Sequence, residues 1–430
     1  MPKVAFHTLG CKVNSYESEA MLELFTKHGY LNVDFDDVAD VYVINTCTVT
    51  NTGDSKSRQM IRKARRHNPE ATVCVVGCYA QVAGDEVSAI DGVDIVIGTQ
   101  HRDQIYNYVE QFNQTHEQIV DVSSVMRLDR YEDLPIQSFE AKTRAFMKIQ
   151  DGCNNFCTYC IIPYARGRMR SRPHEDVIEQ ARKLVAQGYV EIVLTGIHTA
   201  GYGEDLEDYS FYDLLCDLVK VDGLKRLRIS SIEMSQVTDD IIRLIGESDI
   251  IVDHLHIPIQ SGNDKILKRM GRHYTTSEFE DKLNALKEAL PGLSVTTDVI
   301  VGFPSETEED FMVTYNWIKK NHFNQLHVFP YSPRKNTPAA KFKNQIPGNI
   351  KKDRVRRLIK LSDELKTEFA VSYLNKDIEV LFEEYKDGYW VGHASNYLKI
   401  KVKDESIQSN SLINVHIVDH DGYDLIGVIA

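Results

Sequence analysis

Three cysteines in the middle of the chain are spaced closely enough to bind one metal centre. Cys153, Cys157 and Cys160 form a C-x3-C-x2-C pattern within the segment DGCNNFCTYCIIP. Three thiolates at this spacing can bind three irons of a cubane [4Fe–4S] cluster and leave the fourth iron open to a small chelating ligand. The alternative is a structural zinc site, which needs four protein ligands, usually from paired C-x2-C units. No fourth Cys or His lies near the pattern, so the spacing favours the iron–sulfur cluster.

Three further cysteines are far apart in the sequence but occupy equivalent positions. Cys11, Cys47 and Cys78 each follow a segment that is typical of a short buried strand. In an open parallel α/β sheet the carboxyl ends of the strands face one crevice, so we expect these thiols to meet and hold a second three-cysteine cluster. The alternative is that each is an ordinary buried cysteine. Cys74 and Cys216 lie inside apolar patterns and are predicted to be core residues.

The elements that must position these cysteines alternate between strand-like and helix-like patterns. This alternation predicts an α/β protein in which parallel strands are covered by helices. We expect a doubly wound parallel-sheet domain at 1–112, a linker at 113–140, a partial (β/α)6 TIM-like barrel at 141–366 and a small antiparallel β-barrel at 367–430. The predicted strands of the central barrel are 145–149, 191–194, 226–230, 254–258, 294–301 and 325–329. Active sites of such barrels lie at the carboxyl ends of the strands, where the loop containing Cys153 is predicted to be.

The composition is that of a globular protein with an acidic balance. Hydrophobic residues make up 42% and charged residues 26% of the 430 residues, which argues against disorder. The first residues contain no apolar segment of the kind that signal peptides carry. We therefore expect a cytoplasmic protein with reduced thiols. The net charge of −13 argues against indiscriminate binding of nucleic acid but allows a local basic surface.

Basic residues cluster beside both cysteine groups in this acidic chain. One cluster lies on the helix predicted after Cys47, where no acidic residue occurs between Ser55 and Pro69, and another follows Cys160. A solvated charged face is the alternative interpretation. The position beside the cysteine loops favours contacts with nucleic-acid phosphates. The predicted RNA-binding residues are Lys56, Arg58, Arg62, Lys63, Arg65, Arg66, Arg166 and Arg168.

Taken together, these motifs resemble those of the radical S-adenosylmethionine (SAM) methylthiotransferase family. GCKVNSYES, INTC and VGC are similar to the N-terminal cluster domain of that family, and DGCNNFCTYCIIPYARGRMRSRP is similar to its radical SAM loop. IQSGNDKILKRMGR and DVIVGFPSET resemble its later barrel segments, and residues 367–430 resemble its TRAM domain, a small RNA-binding β-barrel. GCKVN followed by NTCTVTNTGDSKSRQMIRKARR most resembles the branch that acts on threonylcarbamoyladenosine in tRNA.

The resemblance implies a chemistry for both clusters. SAM would chelate the open iron of the barrel cluster, whose three cysteines are the catalytic residues, and reductive cleavage would give a 5′-deoxyadenosyl radical. That radical would remove hydrogen from C2 of the modified adenine at position 37 of tRNA, next to the anticodon. The N-terminal cluster would supply or carry the sulfur, and a second SAM would supply the methyl group.

The resemblance also implies partners and binding residues. An electron donor such as a flavodoxin or ferredoxin is implied, whereas nothing in the sequence indicates the sulfur donor. The predicted SAM contacts lie at the ends of barrel strands and in the cysteine loop; they are Tyr159, Thr195, Gly196, Ser231, Glu233 and Gln260.

Other functions remain open at this point. The sister branches of the family act on isopentenyladenosine in tRNA or on an aspartate of a ribosomal protein. A protein of a different class, a non-catalytic iron–sulfur protein that binds RNA and senses redox state, would bind tRNA without cleaving SAM. The predicted barrel with its three-cysteine loop argues against this last alternative.

Overall fold

The computed structural model describes residues 1–134, 136 and 143–430, and its N-terminal domain is built on a six-stranded parallel sheet. The sheet order is β2-β1-β3-β4-β5-β6. Its strands are β1 (Lys3–Thr8), β2 (Leu31–Val33), β3 (Val41–Thr46), β4 (Thr72–Gly77), β5 (Ile95–Ile97) and β6 (Ile119–Asp121). Its helices are α1 (Lys12–Lys27), α2 (Asn51–His67), α3 (Cys78–Val82), α4 (Gly84–Ser88) and α5 (Ile105–Thr115).

Both faces of this sheet are covered, which explains the continuous apolar runs of its central strands. In β4, Val73 and Val75 pack against one set of helices, whereas Cys74 and Val76 pack against the other. Side chains alternate across a strand, so a sheet buried on both faces needs apolar residues at every position. The prediction of a doubly wound domain with Cys74 in its core is confirmed.

The domain extends further than the sequence predicts. Strand β6 pairs with β5 within the region interpreted as a linker at 113–140, and α5 ends at Thr115 rather than before residue 113. The boundary after residue 112 is therefore wrong. A three-residue edge strand carries too short an alternation to be recognised, and β2 escaped prediction for the same reason. Residues 135 and 137–142, which include the predicted start of the next domain, lie outside the described residues.

The central domain is a partial barrel of six parallel strands. The strands are β7 (Arg144–Lys148), β10 (Glu191–Thr195), β11 (Arg226–Ile229), β12 (His254–His256), β13 (Ser294–Val301) and β14 (Gln325–Pro330), and a short antiparallel pair, β8 (Gln150–Asp151) and β9 (Arg170–Ser171), lies beside them. Two parallel sheets, β7-β10-β11 and β12-β13-β14, are joined by a bridge between Leu227 and Ile251. This architecture confirms the predicted partial (β/α)6 barrel.

Helices surround the barrel strands and one of them continues toward the C-terminus. They are α6 (Ile162–Arg166), α7 (His174–Ala186), α8 (Phe211–Leu218), α9 (Asp239–Glu247), α10 (Asp264–Met270), α11 (Thr276–Ala289), α12 (Glu308–Lys320) and α13 (Gly348–Val371). Helix α13 runs through the predicted domain boundary between residues 366 and 367. That boundary is wrong because the change from helical to strand-like sequence comes only after the helix ends. No helix among the described residues has the length and apolarity needed to cross a membrane.

The C-terminal domain is a closed five-stranded barrel, as predicted. Its order is β15-β16-β17-β19-β18, with β15 (Asp377–Lys386), β16 (Tyr389–Ala394), β17 (Lys399–Val402), β18 (Leu412–Asp421) and β19 (Asp424–Ile429). All pairings are antiparallel except β17 with β19, which are parallel and close the barrel. The expectation of a purely antiparallel barrel is corrected at this one pairing.

The small barrel packs against the amino-terminal ends of the central barrel strands. The Arg226 guanidinium, at the start of β11, donates to the carbonyl oxygens of His393 (3.2 Å) and Glu379 (2.9 Å). Arg144, at the start of β7, pairs with Glu383. Tyr397 lies between the domains, with its ring centre 4.5 Å from the Arg228 guanidinium carbon. These contacts leave the opposite, carboxyl-terminal end of the barrel for the site.

Candidate active site

The three central cysteines lie in the loop between β8 and α6, at the carboxyl end of the first barrel strand. The Cys153 N–H donates to the Gly167 carbonyl (3.2 Å), and the Cys160 N–H donates to the Cys157 carbonyl (2.9 Å). Thr158 ties the loop to the barrel, because its hydroxyl donates to the Arg269 carbonyl at 2.8 Å. The loop therefore lies at the end of the barrel where active sites of this fold are found.

Arg272 and Glu233 complete the surroundings of this loop. The Arg272 guanidinium donates to Cys157 Sγ at 3.4 Å and pairs with the Glu233 carboxylate. Burial raises the pKa of the Cys153 and Cys160 thiols to about 12, and the neighbouring Cys157 acts in the same direction. Cysteines bind metals as thiolates, and a positive charge at this distance favours the thiolate form. The donor set therefore fits a metal cluster better than it fits three isolated core cysteines.

Cys11, Cys47 and Cys78 also lie close to one another. Cys11 and Cys47 follow β1 and β3, between which the strand order reverses, and this is the position where open α/β sheets bind ligands. A Cβ built on Gly10 would lie 2.8 Å from the Cβ and 3.1 Å from the Sγ of Cys47. Burial raises the pKa of the Cys78 thiol to about 12, and Cys11 and Cys47 are close enough to contribute to this shift.

Neither cysteine group has the geometry of a site for one metal ion. Among the described residues, no three His, Cys, Asp or Glu side chains are placed to hold a single ion. Structural zinc needs its ligands at one point, whereas thiolates around a cubane bind separate irons. The three-cysteine composition of each group is the ligand set that a cubane cluster with one open iron requires.

A cavity of about 190 Å³ lies between the cysteine loop of the barrel and the loop that follows Cys47. Tyr159 and Cys160 form one side, and Val49 and Thr50, from the loop after Cys47, form the other. The ends of barrel strands contribute polar groups from Gln260, Asp298 and Ser332 and apolar walls from Ile300 and Phe329. The cavity therefore joins the N-terminal domain to the active end of the barrel.

The loop after Cys47 is fixed by an arginine of the barrel. The Arg334 guanidinium donates to the Thr48 hydroxyl and to the Asp54 carboxylate, both at 2.6 Å. The Ser332 hydroxyl accepts a hydrogen bond from the Asn51 N–H at 3.2 Å. Hydrogen bonds between the two domains therefore fix this wall of the cavity.

The predicted SAM contacts divide into three groups. Tyr159 and Gln260 line the cavity, and Gln260 has a φ of +64°, a conformation that is unusual for a residue with a side chain. Glu233 pairs with Arg272, the arginine that contacts Cys157. The remaining three residues lie at the carboxyl ends of β10 and β11, outside the cavity lining; they are Thr195, Gly196 and Ser231.

One predicted RNA-binding residue is placed where RNA cannot reach it. Arg166 is fully buried, and its guanidinium is used by Cys78, Asn14, Glu17 and Asp151. The prediction that Arg166 contacts phosphates is therefore wrong, because no donor of its side chain faces solvent. Its neighbour Arg168 is exposed and lies over the ring of Phe156.

The basic residues of α2 fall into three classes. Arg65 is tied down internally, because its guanidinium donates to the Gly92, Pro69 and Ala71 carbonyls and to Asp94. Two others have partners that leave them half exposed: Arg58 donates to the Tyr79 hydroxyl and Lys63 pairs with Asp36. Three are exposed and make no ion pair or hydrogen bond with any described residue; they are Lys56, Arg62 and Arg66.

The exposed face of α2 borders a groove of about 1360 Å³. Arg58, Arg62 and Arg66 line it on one side, and the segment before β5, with Ile90 and Asp91, lines the other. A groove with several arginines on one wall provides the positive surface that a nucleic-acid backbone requires.

The sequence did not indicate the roles of Arg272 and Arg334. Arg272 lies within the segment IQSGNDKILKRMGR that carries the family resemblance. The resemblance marks this segment as part of the barrel but does not indicate that Arg272 contacts a cysteine. Arg334 lies in a loop, YSPRKNTP, whose contacts depend on another domain. Interactions across a domain interface have no local sequence pattern from which they could be predicted.

Comparisons with known proteins agree with this geometry. The family model described as Radical SAM superfamily matches residues 147–318, and the one described as Uncharacterized protein family UPF0004 matches residues 3–98. Among solved structures, the radical S-adenosylmethionine methyltransferase TsrM from Kitasatospora setae, with tryptophan and a SAM analogue bound, matches with a TM-score of 0.57 at 14% identity, over 79% of this chain and 75% of that one. This similarity concerns the fold.

Two relatives match over nearly their whole length. The threonylcarbamoyladenosine tRNA methylthiotransferase MtaB of Bacillus subtilis (strain 168) is 55% identical over 424 residues, which cover 97% of this chain and 94% of that protein. A tRNA-2-methylthio-N(6)-dimethylallyladenosine synthase of Clostridium botulinum (strain Loch Maree / Type A3) is 34% identical over 434 residues, covering 98% and 95%. Radical SAM membership implies a [4Fe–4S] cluster and SAM. The chain belongs to the radical SAM methylthiotransferase family.

Proposed function

We propose that this enzyme adds a methylthio group to C2 of N6-threonylcarbamoyladenosine at position 37 of tRNA. The relative named for this substrate is 55% identical, whereas the relative named for dimethylallyladenosine is 34% identical over a similar length. The observation that carries the proposal is the cavity lined by Cys160 and by the loop after Cys47, because a methylthiotransferase must bring one carbon of its substrate to both the radical chemistry and the sulfur transfer.

The barrel residues are assigned to binding and orienting the cluster and SAM. Cys153, Cys157 and Cys160 hold the cluster, which when bound supplies the electron for reductive cleavage of SAM. Arg272 donates to the Cys157 sulfur, and Glu233 fixes that guanidinium. The remaining proposed SAM contacts are Tyr159 and Gln260 in the cavity and Thr195, Gly196 and Ser231 at the neighbouring strand ends.

The second cluster is proposed for Cys11, Cys47 and Cys78. Cys11 and Cys47 follow the two strands at the switch point of the parallel sheet, and both lie close enough to Cys78, after the neighbouring strand β4, to shift its pKa; this placement supports the assignment. These cysteines would hold a cluster that, when bound, would supply or carry the transferred sulfur. Two [4Fe–4S] clusters and SAM are therefore the proposed cofactors, and the presence of Val49 and Thr50, from the loop after Cys47, in the cavity wall supports a sulfur-handling role near the barrel.

The cavity has the surface that a purine requires. Ile300 and Phe329 offer apolar contact to the faces of a base, while Gln260 and Asp298 can hydrogen bond to its edge. Proteins commonly read single-stranded RNA by receiving unstacked bases in this way. Position 37 lies beside the anticodon in a loop, so its base can enter without opening a helix.

The basic groove on α2 is proposed to bind the tRNA backbone. Arg62 and Arg66 are exposed there and Lys56 lies near by on the same helix, while Arg168 is exposed next to the cysteine loop. Arg58 and Lys63 can contact the tRNA backbone only if they release Tyr79 and Asp36, their present partners. Because tRNA resides in the cytoplasm, we propose that location, with a flavodoxin or ferredoxin as the electron donor.

Nucleoside mass spectrometry of tRNA tests the proposal. A deletion strain should lack 2-methylthio-N6-threonylcarbamoyladenosine, and the wild-type gene should restore it. Cys157→Ala should not restore it, whereas Cys216→Ala, a cysteine in helix α8 without an assigned role, should. Loss of the methylthio derivative of isopentenyladenosine, or of a ribosomal-protein aspartate, would assign one of the sister substrates instead. An unchanged modification profile with retained tRNA binding would favour a non-catalytic RNA-binding protein.

A further inference from the structure

Arg166 connects the two cysteine groups through the interior of the protein. It is the last residue of α6, the short helix that begins two residues after Cys160. Its side chain leaves the barrel and enters the N-terminal domain, where no part of it is exposed. Its Nε donates to Cys78 Sγ at 3.3 Å. An arginine of the SAM-binding domain therefore contacts a cysteine of the other domain.

The rest of the guanidinium is held in place by acceptors on both domains. One terminal nitrogen donates to Glu17 (2.6 Å) and Asp151 (3.2 Å), and the other donates to Asn14 (2.8 Å) and Glu17 (2.9 Å). The five N–H groups of an arginine thus all have acceptors. Lys148 also donates to Glu17 and Asp151, at 2.8 and 2.7 Å. The guanidinium cannot turn away from Cys78 without breaking these buried ion pairs.

We propose that Arg166 is a positioning residue for the N-terminal cluster, and that its N–H group holds the Cys78 thiolate and raises the reduction potential of that cluster. The inference rests on the second cluster proposed above. Reduction adds negative charge to a cluster, so a fixed cation that donates to a ligand sulfur stabilises the reduced form more than the oxidised form. Hydrogen bonds to the sulfurs are among the features that set cluster potentials, and groups outside the ligand set orient the ligands.

The barrel cluster has a similar arrangement, which supplies an internal comparison. Arg272 donates to Cys157 Sγ and is paired with Glu233, much as Arg166 donates to Cys78 and is paired with Glu17. Each group of three cysteines thus has one sulfur that accepts from a buried arginine held by a glutamate. A variant of Arg272 is therefore the matched control for a variant of Arg166.

The test uses the full chain with the barrel cysteines replaced by alanine, so that only the N-terminal cluster is present. The variant Arg166→Lys keeps a cation between Glu17 and Asp151 but lacks the Nε–H that reaches Cys78. Electron paramagnetic resonance during a redox titration gives the midpoint potential. At the wild-type midpoint we expect the ratio of reduced to oxidised cluster to fall about tenfold, which corresponds to about 59 mV for a one-electron couple. Arg272→Lys in the same background should leave the midpoint unchanged.

An unchanged midpoint in Arg166→Lys, with iron content retained, would overturn the inference and leave Arg166 as a contact between domains. An equal shift in both lysine variants would also overturn it, because the effect would not be local. A parent protein without a cluster would instead refute the second cluster, before any variant is compared. If Arg166→Lys does not fold, resonance Raman spectra of the parent decide: reconstitution in D2O should shift an iron–cysteine stretching band, and no shift would contradict the N–H···S bond.

Discussion

The exposed basic residues of α2 allow the tRNA-binding proposal to be tested quantitatively. Replacing Lys56, Arg62 and Arg66 by glutamine removes three charges that have no partner among the described residues. Each phosphate contact contributes about 0.7 to 0.9 to the slope of log K against log salt concentration. The triple variant should therefore flatten this slope by about 2 to 3 units. Between about 50 and 200 mM salt, its affinity should fall about 20- to 40-fold less than that of the wild type.

Fluorescence anisotropy of labelled tRNA across a salt series measures this slope under anaerobic conditions. Arg65→Gln should lower the melting temperature but leave the slope nearly unchanged, because the Arg65 guanidinium is used by carbonyls and by Asp94. A triple variant on the outer face of the barrel, Arg182→Gln, Lys183→Gln and Lys220→Gln, controls for net charge. The reasoning would be refuted by an unchanged slope in the α2 variant or by an equal change in the control.

Three further outcomes are expected from the cysteines and the buried ion pairs. Reconstituted wild-type protein should hold about eight irons, as two four-iron cubanes. Replacing all three barrel cysteines should halve the iron content, which a colorimetric assay measures. Stoichiometric zinc in the protein would contradict the cluster assignment. Cys47→Ala should still form 5′-deoxyadenosine under reduction but no methylthio product, and Cys157→Ala should form neither. If Cys47→Ala formed the methylthio product at a near wild-type rate, the N-terminal cysteines would be ordinary core residues and not cluster ligands. Burial acts to raise the pKa of Glu17, but Arg102, Arg166 and Lys148 outweigh it and hold that pKa well below its usual range. The stability from Glu17 is therefore present above its unfolded pKa of about 4.3 and lost as pH falls below it. Glu17→Gln should cost about 3–5 kcal/mol at neutral pH and give a shallower decline of melting temperature in acid; parallel pH profiles for the two proteins would argue against this.

The features that repeat along the chain were the ones that sequence could predict. The alternation of strands and helices located all six barrel strands to within about two residues, the usual uncertainty of such boundaries. It also placed six cysteines at strand ends, because the end of an apolar run marks the carboxyl end of a parallel strand. The short edge strands β2 and β6 have too few residues to show a period, so the predicted N-terminal domain ends before β6.

Arg166 shows why the remaining contacts could not be predicted. In the sequence it stands among exposed-looking arginines beside the cysteine loop, yet its acceptors Asn14 and Glu17 are more than a hundred residues away. Both acceptors are buried polar residues on α1, whose other buried positions are largely apolar. An acidic residue within an apolar helix face signals a buried partner, but the sequence does not identify that partner.

The contact between the two barrels limits how freely the small C-terminal barrel can be exchanged. Arg226 and Arg228, both on β11, are buried and donate to carbonyl oxygens of the small barrel. Removing that barrel would replace these acceptors by water, whereas a different barrel without matching acceptors would bury both guanidinium groups with fewer partners, which is costly. The small barrel therefore closes one end of the catalytic domain, and a chimera that carries a different barrel at this place must also supply acceptors for these arginines.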